Sequence, residues 1–97
     1  MAGMEPHVRD MLGALLAAQG SVRGEMERLA ELRPLDRAAL RRMREAAHDF
    51  ADQADTLLLI LVNQDAPDPL VTAVEEIFDA FRDTERQIED VTRRRRR

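Results

Sequence analysis

Two stretches of the 97-residue chain hold residue types at spacings that could do chemistry. The first is Glu45-Ala46-Ala47-His48. A Glu-x-x-His puts a carboxylate and an imidazole one helical turn apart, the pair that di-iron carboxylate bundles project inward from two of their helices. The motif occurs once here, and a metal would need further ligands. With Met43, Ala47 and Phe50 facing a core, Glu45 and His48 point outward, and no acid is expected on a facing stripe to complete a set. No metal site is therefore assigned. The second stretch is Arg93, Arg94, Arg95, Arg96 and Arg97, five guanidinium groups able to pair with phosphates or carboxylates.

Catalysis has little to draw on. The chain has one serine, Ser21, in Gly-Ser-Val-Arg-Gly, which is not a nucleophile elbow. Its two histidines, His7 and His48, are far apart in sequence, and cysteine, lysine and tyrosine are absent. No nucleophile–base pair emerges, and Gly20 to Gly24 lacks the Gly-Lys-Ser/Thr of a phosphate loop. The expectation is a protein that is not an enzyme and carries no cofactor.

Charge is unevenly spread. Residues 1–64 hold ten acids and eight bases, residues 65–92 nine acids and two bases, and the five terminal arginines bring the net charge to −4. A block of like charges is most often a disordered tail. Its nearest partner is the acidic segment before it, with Glu75, Glu76, Asp79, Asp83, Glu85, Glu89 and Asp90, and arginines after a helix C-terminus also favour the helix dipole. Nucleic acid is the alternative partner for Arg93 to Arg97, with Arg37, Arg41, Arg42 and Arg44 as the other basic stretch. Against it, Phe50, Phe78 and Phe81 are the only aromatics. All three fall on core stripes, where they cannot stack on bases.

The elements that must position these groups are helices. Strands are not expected: no period-two run occurs, and β-branched residues are sparse. Leu40, Met43, Ala47, Phe50, Ala54, Leu57 and Leu61, with Leu58 and Val62 beside them, follow a 3-4-3-4 spacing, the stripe by which helices pack along their length. Upstream, Val8, Leu15, Val22 and Leu29 recur every seven residues, flanked by Met11, Leu12, Met26 and Leu32. The phase survives Gly20-Ser21, which predicts one long helix opened by Pro6. Downstream, Leu70, Val74, Ile77, Phe81, Thr84, Ile88 and Val91 repeat the pattern, widened by Val71 and Phe78. Asp36 suits an N-cap, with Leu35 and Leu40 as a hydrophobic staple, and Asp68-Pro69 suits the cap and first residue of the last helix.

These signals predict an all-α fold, an antiparallel up-down-up three-helix bundle with coiled-coil-like heptad packing. Its helices span about 6–33, 36–63 and 69–92 within a single domain over 1–92, and 93–97 is expected to be a disordered poly-arginine tail. That topology gathers the apolar start of helix 1, the end of helix 2 and the start of helix 3 at one end. Glu25, Glu27, Glu31, Arg41, Arg42, Arg44, Glu85, Glu89 and the terminal arginines gather at the other.

Leu57 to Val62 is six apolar residues in a row. At about 100° per residue such a run covers every face of a helix, more than two neighbours can bury. Leu58, Leu59, Ile60 and Val62 are therefore candidate interface residues, and Leu59, Ile60 or both should face outward. On the rear of helix 1, Gly13, Ala17, Gly20 and Gly24, with Leu16 alongside, form a second candidate surface where small residues would let another helix approach closely. No stretch reaches the roughly 20 apolar residues of a membrane span. Glu5 and Asp10 argue against reading Met11 to Ala18 as a secretory signal. The functional expectation is a cytoplasmic interaction or assembly module that self-associates or docks a helical protein partner. The alternative is a small nucleic-acid-associated accessory protein using the arginine tail.

Overall fold

The computed structural model describes residues 6–31 and 36–95, and among these every regular element is helical: α1 (Pro6–Glu31), α2 (Arg37–Asn63) and α3 (Asp68–Arg95). α1 starts with Pro6 at its first position, where a missing N–H is no loss, and runs unbroken through Gly20 and Ser21. Val8, Leu15, Val22 and Leu29 are all buried, so the seven-residue spacing marks the face that α1 turns inward.

α2 begins where the sequence places it. The Asp36 carboxylate accepts a 3.0 Å hydrogen bond from the Ala39 N–H, satisfying one of the orphan donors of the first turn. The staple from Leu35 lies outside the described residues. The far end closes in a Schellman motif: the Ala66 N–H donates to the Leu61 carbonyl at 2.9 Å and the Asp65 N–H to the Val62 carbonyl at 3.2 Å. Asp65 carries the left-handed backbone this closure requires, with φ of 52°, at a position where glycine is commonest. Ala66 packs back on the core, so the helix is ended by its own cap before Pro67 is reached.

α3 begins one residue earlier than expected. The Pro67 carbonyl accepts from Leu70 and Val71 at 3.0 and 3.2 Å. Pro67 thus flanks the helix, and Asp68 sits inside the first turn, where its charge favours the dipole, instead of capping it. At the other end the helix continues to Arg95, taking in Arg93, Arg94 and Arg95, which the sequence reading placed in the tail. Arg96 and Arg97 lie outside the described residues.

The core is a single file of apolar side chains contributed by all three helices. In α2 its centre is made by Ala47, Ala51 and Ala54, each fully buried. Phe50, expected on the central stripe, lies at its flank and is half-buried, its ring centroid 5.3 Å from that of Phe81 and tilted by 31°. The physical reason is space. Three alanines at 4-3 spacing let α3 come close to α2 while α3 contributes the buried ring of Phe81, so the α2 ring takes the edge. Thr84, the polar interruption in the α3 stripe, donates its hydroxyl back to the Ala80 carbonyl at 3.0 Å and so carries no unmet donor inward.

α2 and α3 form the closest of the three helix pairs, and α1 is held much more sparsely by both. The described chain is a rod of 55 × 19 × 17 Å. No helix among the described residues is long and apolar enough to cross a membrane.

Candidate functional site

The Glu-x-x-His pair meets an acid that the spacing argument did not supply. His48 Nδ1 lies 3.3 Å from Glu85 Oε1 across the α2–α3 seam, and His48 Nε2 lies 3.7 Å from Asp52 Oδ2 one turn along α2. Arg82 Nη1 approaches the same Glu85 oxygen at 3.6 Å. The Glu85 side chain is only 12% exposed, against 54% for His48. Its Oε1 is buried and accepts no hydrogen bond from the described residues, so the surrounding charges meet it without good hydrogen-bond geometry. A cavity of about 370 Å³ opens beside it, lined by Arg44, Glu45, His48, Asp49, Arg82, Glu85 and Glu89.

Sequence reasoning missed Glu85 because the apolar stripe was followed through Thr84. Counting back three from Ile88, or forward four from Phe81, arrives at Glu85. Thr84 and Glu85 are both partly covered and share that layer of the core. The cluster is acid-rich, and no three His, Cys, Asp or Glu side chains among the described residues converge closely enough to hold a metal ion.

The six-residue apolar run divides by face. Leu57 and Leu61 enter the core, Leu58 and Ile60 are half-buried against it, and Leu59 and Val62 stand out at 62% and 60% exposure. Leu59 is thus outward as expected. Ile60 is not: it leans on the core. Val62, a candidate interface residue beside the inward stripe, faces outward one turn from Leu59. On α1, Leu16 is 53% exposed, and Gly13, Ala17, Gly20 and Gly24 are all exposed. A methyl group added at Gly13, Gly20 or Gly24 would meet nothing within 4 Å among the described residues, so these glycines serve no close approach there.

The sparse hold on α1 leaves a hollow on each side of Val22. One, of about 350 Å³, lies toward α2 between Ala18, Val22 and Leu29 on one wall and Ala39, Met43, Ala46 and Phe50 on the other, with Arg42 at its rim. The other, of about 320 Å³, lies toward α3 by Phe81 and Thr84. Arg28 at the first rim is engaged with Glu25, whose hydrogen bond and charge hold the guanidinium above its ordinary pKa.

The arginines fall into two roles. Arg86 pairs with Asp83 at 3.3 Å and Arg93 with Asp90 at 4.0 Å, exposed intrahelical contacts of small energetic weight. In contrast, Arg37, Arg41 and Arg44 of α2 line a groove of about 200 Å³ together with Ile88 and Thr92 of α3, and no acidic side chain among the described residues lines it. Neither Arg41 nor Arg44 forms an ion pair among the described residues.

Compared with protein-family models, with curated proteins and with solved structures, the chain matches none.

Proposed function

We propose that the chain is a non-enzymatic interaction module, an antiparallel up-down-up bundle with heptad-type packing that works in the cytoplasm by self-association or by docking a helical partner. The observation that carries this reading is the outward face of α2 at Leu59 and Val62. Two large aliphatic side chains one turn apart are more than half exposed beside the half-covered Leu58 and Ile60. Burying a Leu or Val side chain is worth on the order of 1.5–3 kcal/mol, so a surface that leaves such residues in water on a small domain is explained by a partner that covers them. Leu16 on α1, with its small neighbours Gly13, Ala17, Gly20 and Gly24, offers a second helix a close seat on the other element.

The proposed topology is supported by two cross-helix pairs, His48 with Glu85 and Phe50 with Phe81, in which the α3 number falls as the α2 number rises. It is supported too by the four residues that join α2 to α3, a link characteristic of antiparallel neighbours.

The test is sedimentation of the wild type and of Leu59→Glu/Val62→Glu at about 100 μM, alone and with a candidate partner. The expected result is an oligomer or complex that the double substitution dissociates while far-UV circular dichroism keeps its helical signal. A wild type that sediments as a clean 11.1 kDa species and gives a partner complex indifferent to the substitution overturns the reading.

A further inference from the structure

The groove at Arg37, Arg41 and Arg44, lined by no acidic side chain among the described residues, is a separate feature from the apolar face. Spacings of four and three residues put the three arginines on one side of α2, along about 10 Å of helix at about 1.5 Å per residue. Across the seam, Ile88 and Thr92 floor the groove, and α3 then continues into Arg93, Arg94 and Arg95. The chain's two basic stretches, separated by about half its length in sequence, are thereby brought to one end of the rod.

We propose that this end binds the phosphate backbone of a nucleic acid, with Arg41 and Arg44 in the groove and the α3-terminal arginines as a second set of contacts. A row of guanidinium forks repeated along a helix matches a ligand whose charges repeat along a line, and duplex phosphates recur every ~3.4 Å per strand. Stacking on bases takes no part, because Phe50, Phe78 and Phe81 are packed into or against the core. An anionic membrane fits less well. The large exposed apolar residues among those described are Leu16, Leu59 and Val62, and Val62 is 18 positions along α2 from Arg44, so no apolar side chain beside the groove could enter a bilayer.

The net charge of −4 does not oppose this. Glu75, Glu76 and Asp79 lie a dozen or more residues before Thr92 on α3, roughly 20 Å at about 1.5 Å per residue. The Debye length at physiological salt is about 8 Å, so their field is largely screened at the groove. The nearer acids among the described residues include Glu45, Asp49, Glu85 and Glu89, which line the neighbouring cavity that Arg44 also borders, and Asp90, which is engaged with Arg93.

The experiment is fluorescence anisotropy with a short labelled DNA duplex, using the full chain, between about 50 mM and 200 mM salt. Arg41→Gln/Arg44→Gln is compared with wild type and with a variant carrying glutamine at 93–97. Each phosphate contact contributes about −0.9 to the slope of log K against log[salt], so wild type should show a slope of about −4. The groove variant should be shallower by about 2 and weaker by about tenfold or more. Circular dichroism and the melting temperature of the groove variant should match wild type, since both side chains are exposed. Three outcomes would overturn the proposal: no duplex binding at about 50 mM salt, binding that the groove variant leaves unchanged in strength and slope, or binding to phosphatidylserine vesicles without binding to DNA.

Discussion

His48 and Glu85 stand 3.3 Å apart across the α2–α3 seam, an exposed imidazole against a carboxylate whose nearer oxygen is buried and receives no hydrogen bond among the described residues. A partly exposed donor is thus set against an acceptor that has given up most of its water. Glu85 occupies a layer between Phe81 and Ile88 where the stripe could have carried an aliphatic side chain. Replacing a buried charged contact of poor geometry by a hydrophobe is often neutral or stabilising. Glu85→Leu is therefore expected to stabilise the fold by about 1 kcal/mol, a rise in melting temperature of about 4–8 °C for a chain of this size. His48→Ala, tested alone and on the Glu85→Leu background, should be felt only while the carboxylate is present. A fall in melting temperature on Glu85→Leu would show instead that the ion cluster stabilises the seam.

The tilted pair Phe50–Phe81 closes the same seam from its other edge. Phe81 is fully buried and Phe50 half so. Phe81→Ala should cost about 3–5 kcal/mol, as removal of a phenyl ring from a packed core does. Phe50→Ala should cost less, because part of its surface is already wet and it borders the hollow toward α1. Chemical denaturation of the two variants gives the comparison, and equal costs would contradict the placement of Phe50 at the flank.

Gly20 and Gly24 are interior to α1, exposed, and free of neighbours where a methyl group would be added. Gly20→Ala and Gly24→Ala should each stabilise the helix by about 1 kcal/mol, the ordinary difference between the two residues in a helix interior. The same substitutions discriminate between surfaces. If a partner helix seats on this face, they should weaken the assembly seen in sedimentation while raising the melting temperature of the isolated chain.

Asp65 holds a left-handed conformation at the end of α2. An L-residue with a Cβ pays about 1–2 kcal/mol there and glycine does not, although glycine also gains more freedom in the unfolded chain. Asp65→Gly should raise stability by about 0.5–1 kcal/mol with the Schellman hydrogen bonds intact. Asp65→Val, in contrast, should destabilise. Thermal melts of the pair decide it.

Much of the helical content was legible because the signals were local and agreed with one another. Pro6, the Asp36 cap and the seven-residue recurrence of Val8, Leu15, Val22 and Leu29 each act within one helix, and each is found as expected. What escaped depends on how close two helices come. Ala51 and Phe50 are neighbours, and which enters the seam is decided by the room α3 leaves, a quantity that no spacing within α2 encodes. Glu85 was missed for a related reason: a 3-4 stripe splits at each layer into two adjacent positions, and following the stripe through Thr84, its one polar interruption, hid the charged residue beside it. The Asp65 cap was hidden by chemistry, since an aspartate is an uncommon occupant of a site that favours glycine. The outward turn of Val62 and the inward lean of Ile60 follow from α2's rotation about its axis, which a run of six apolar residues leaves undetermined.

The sparse hold on α1 has a kinetic meaning. α2 and α3 are joined by four residues and share the closest seam, so they can find each other with little loop-closure entropy, while α1 gains little from either alone. Amide hydrogens along α1 should then exchange with solvent through partial openings that leave α2 and α3 protected. A partner that covers Leu16 would close that route, so that association and the last step of folding become one event, and a bound complex would announce itself as slowed exchange along a helix most of whose residues the partner never touches.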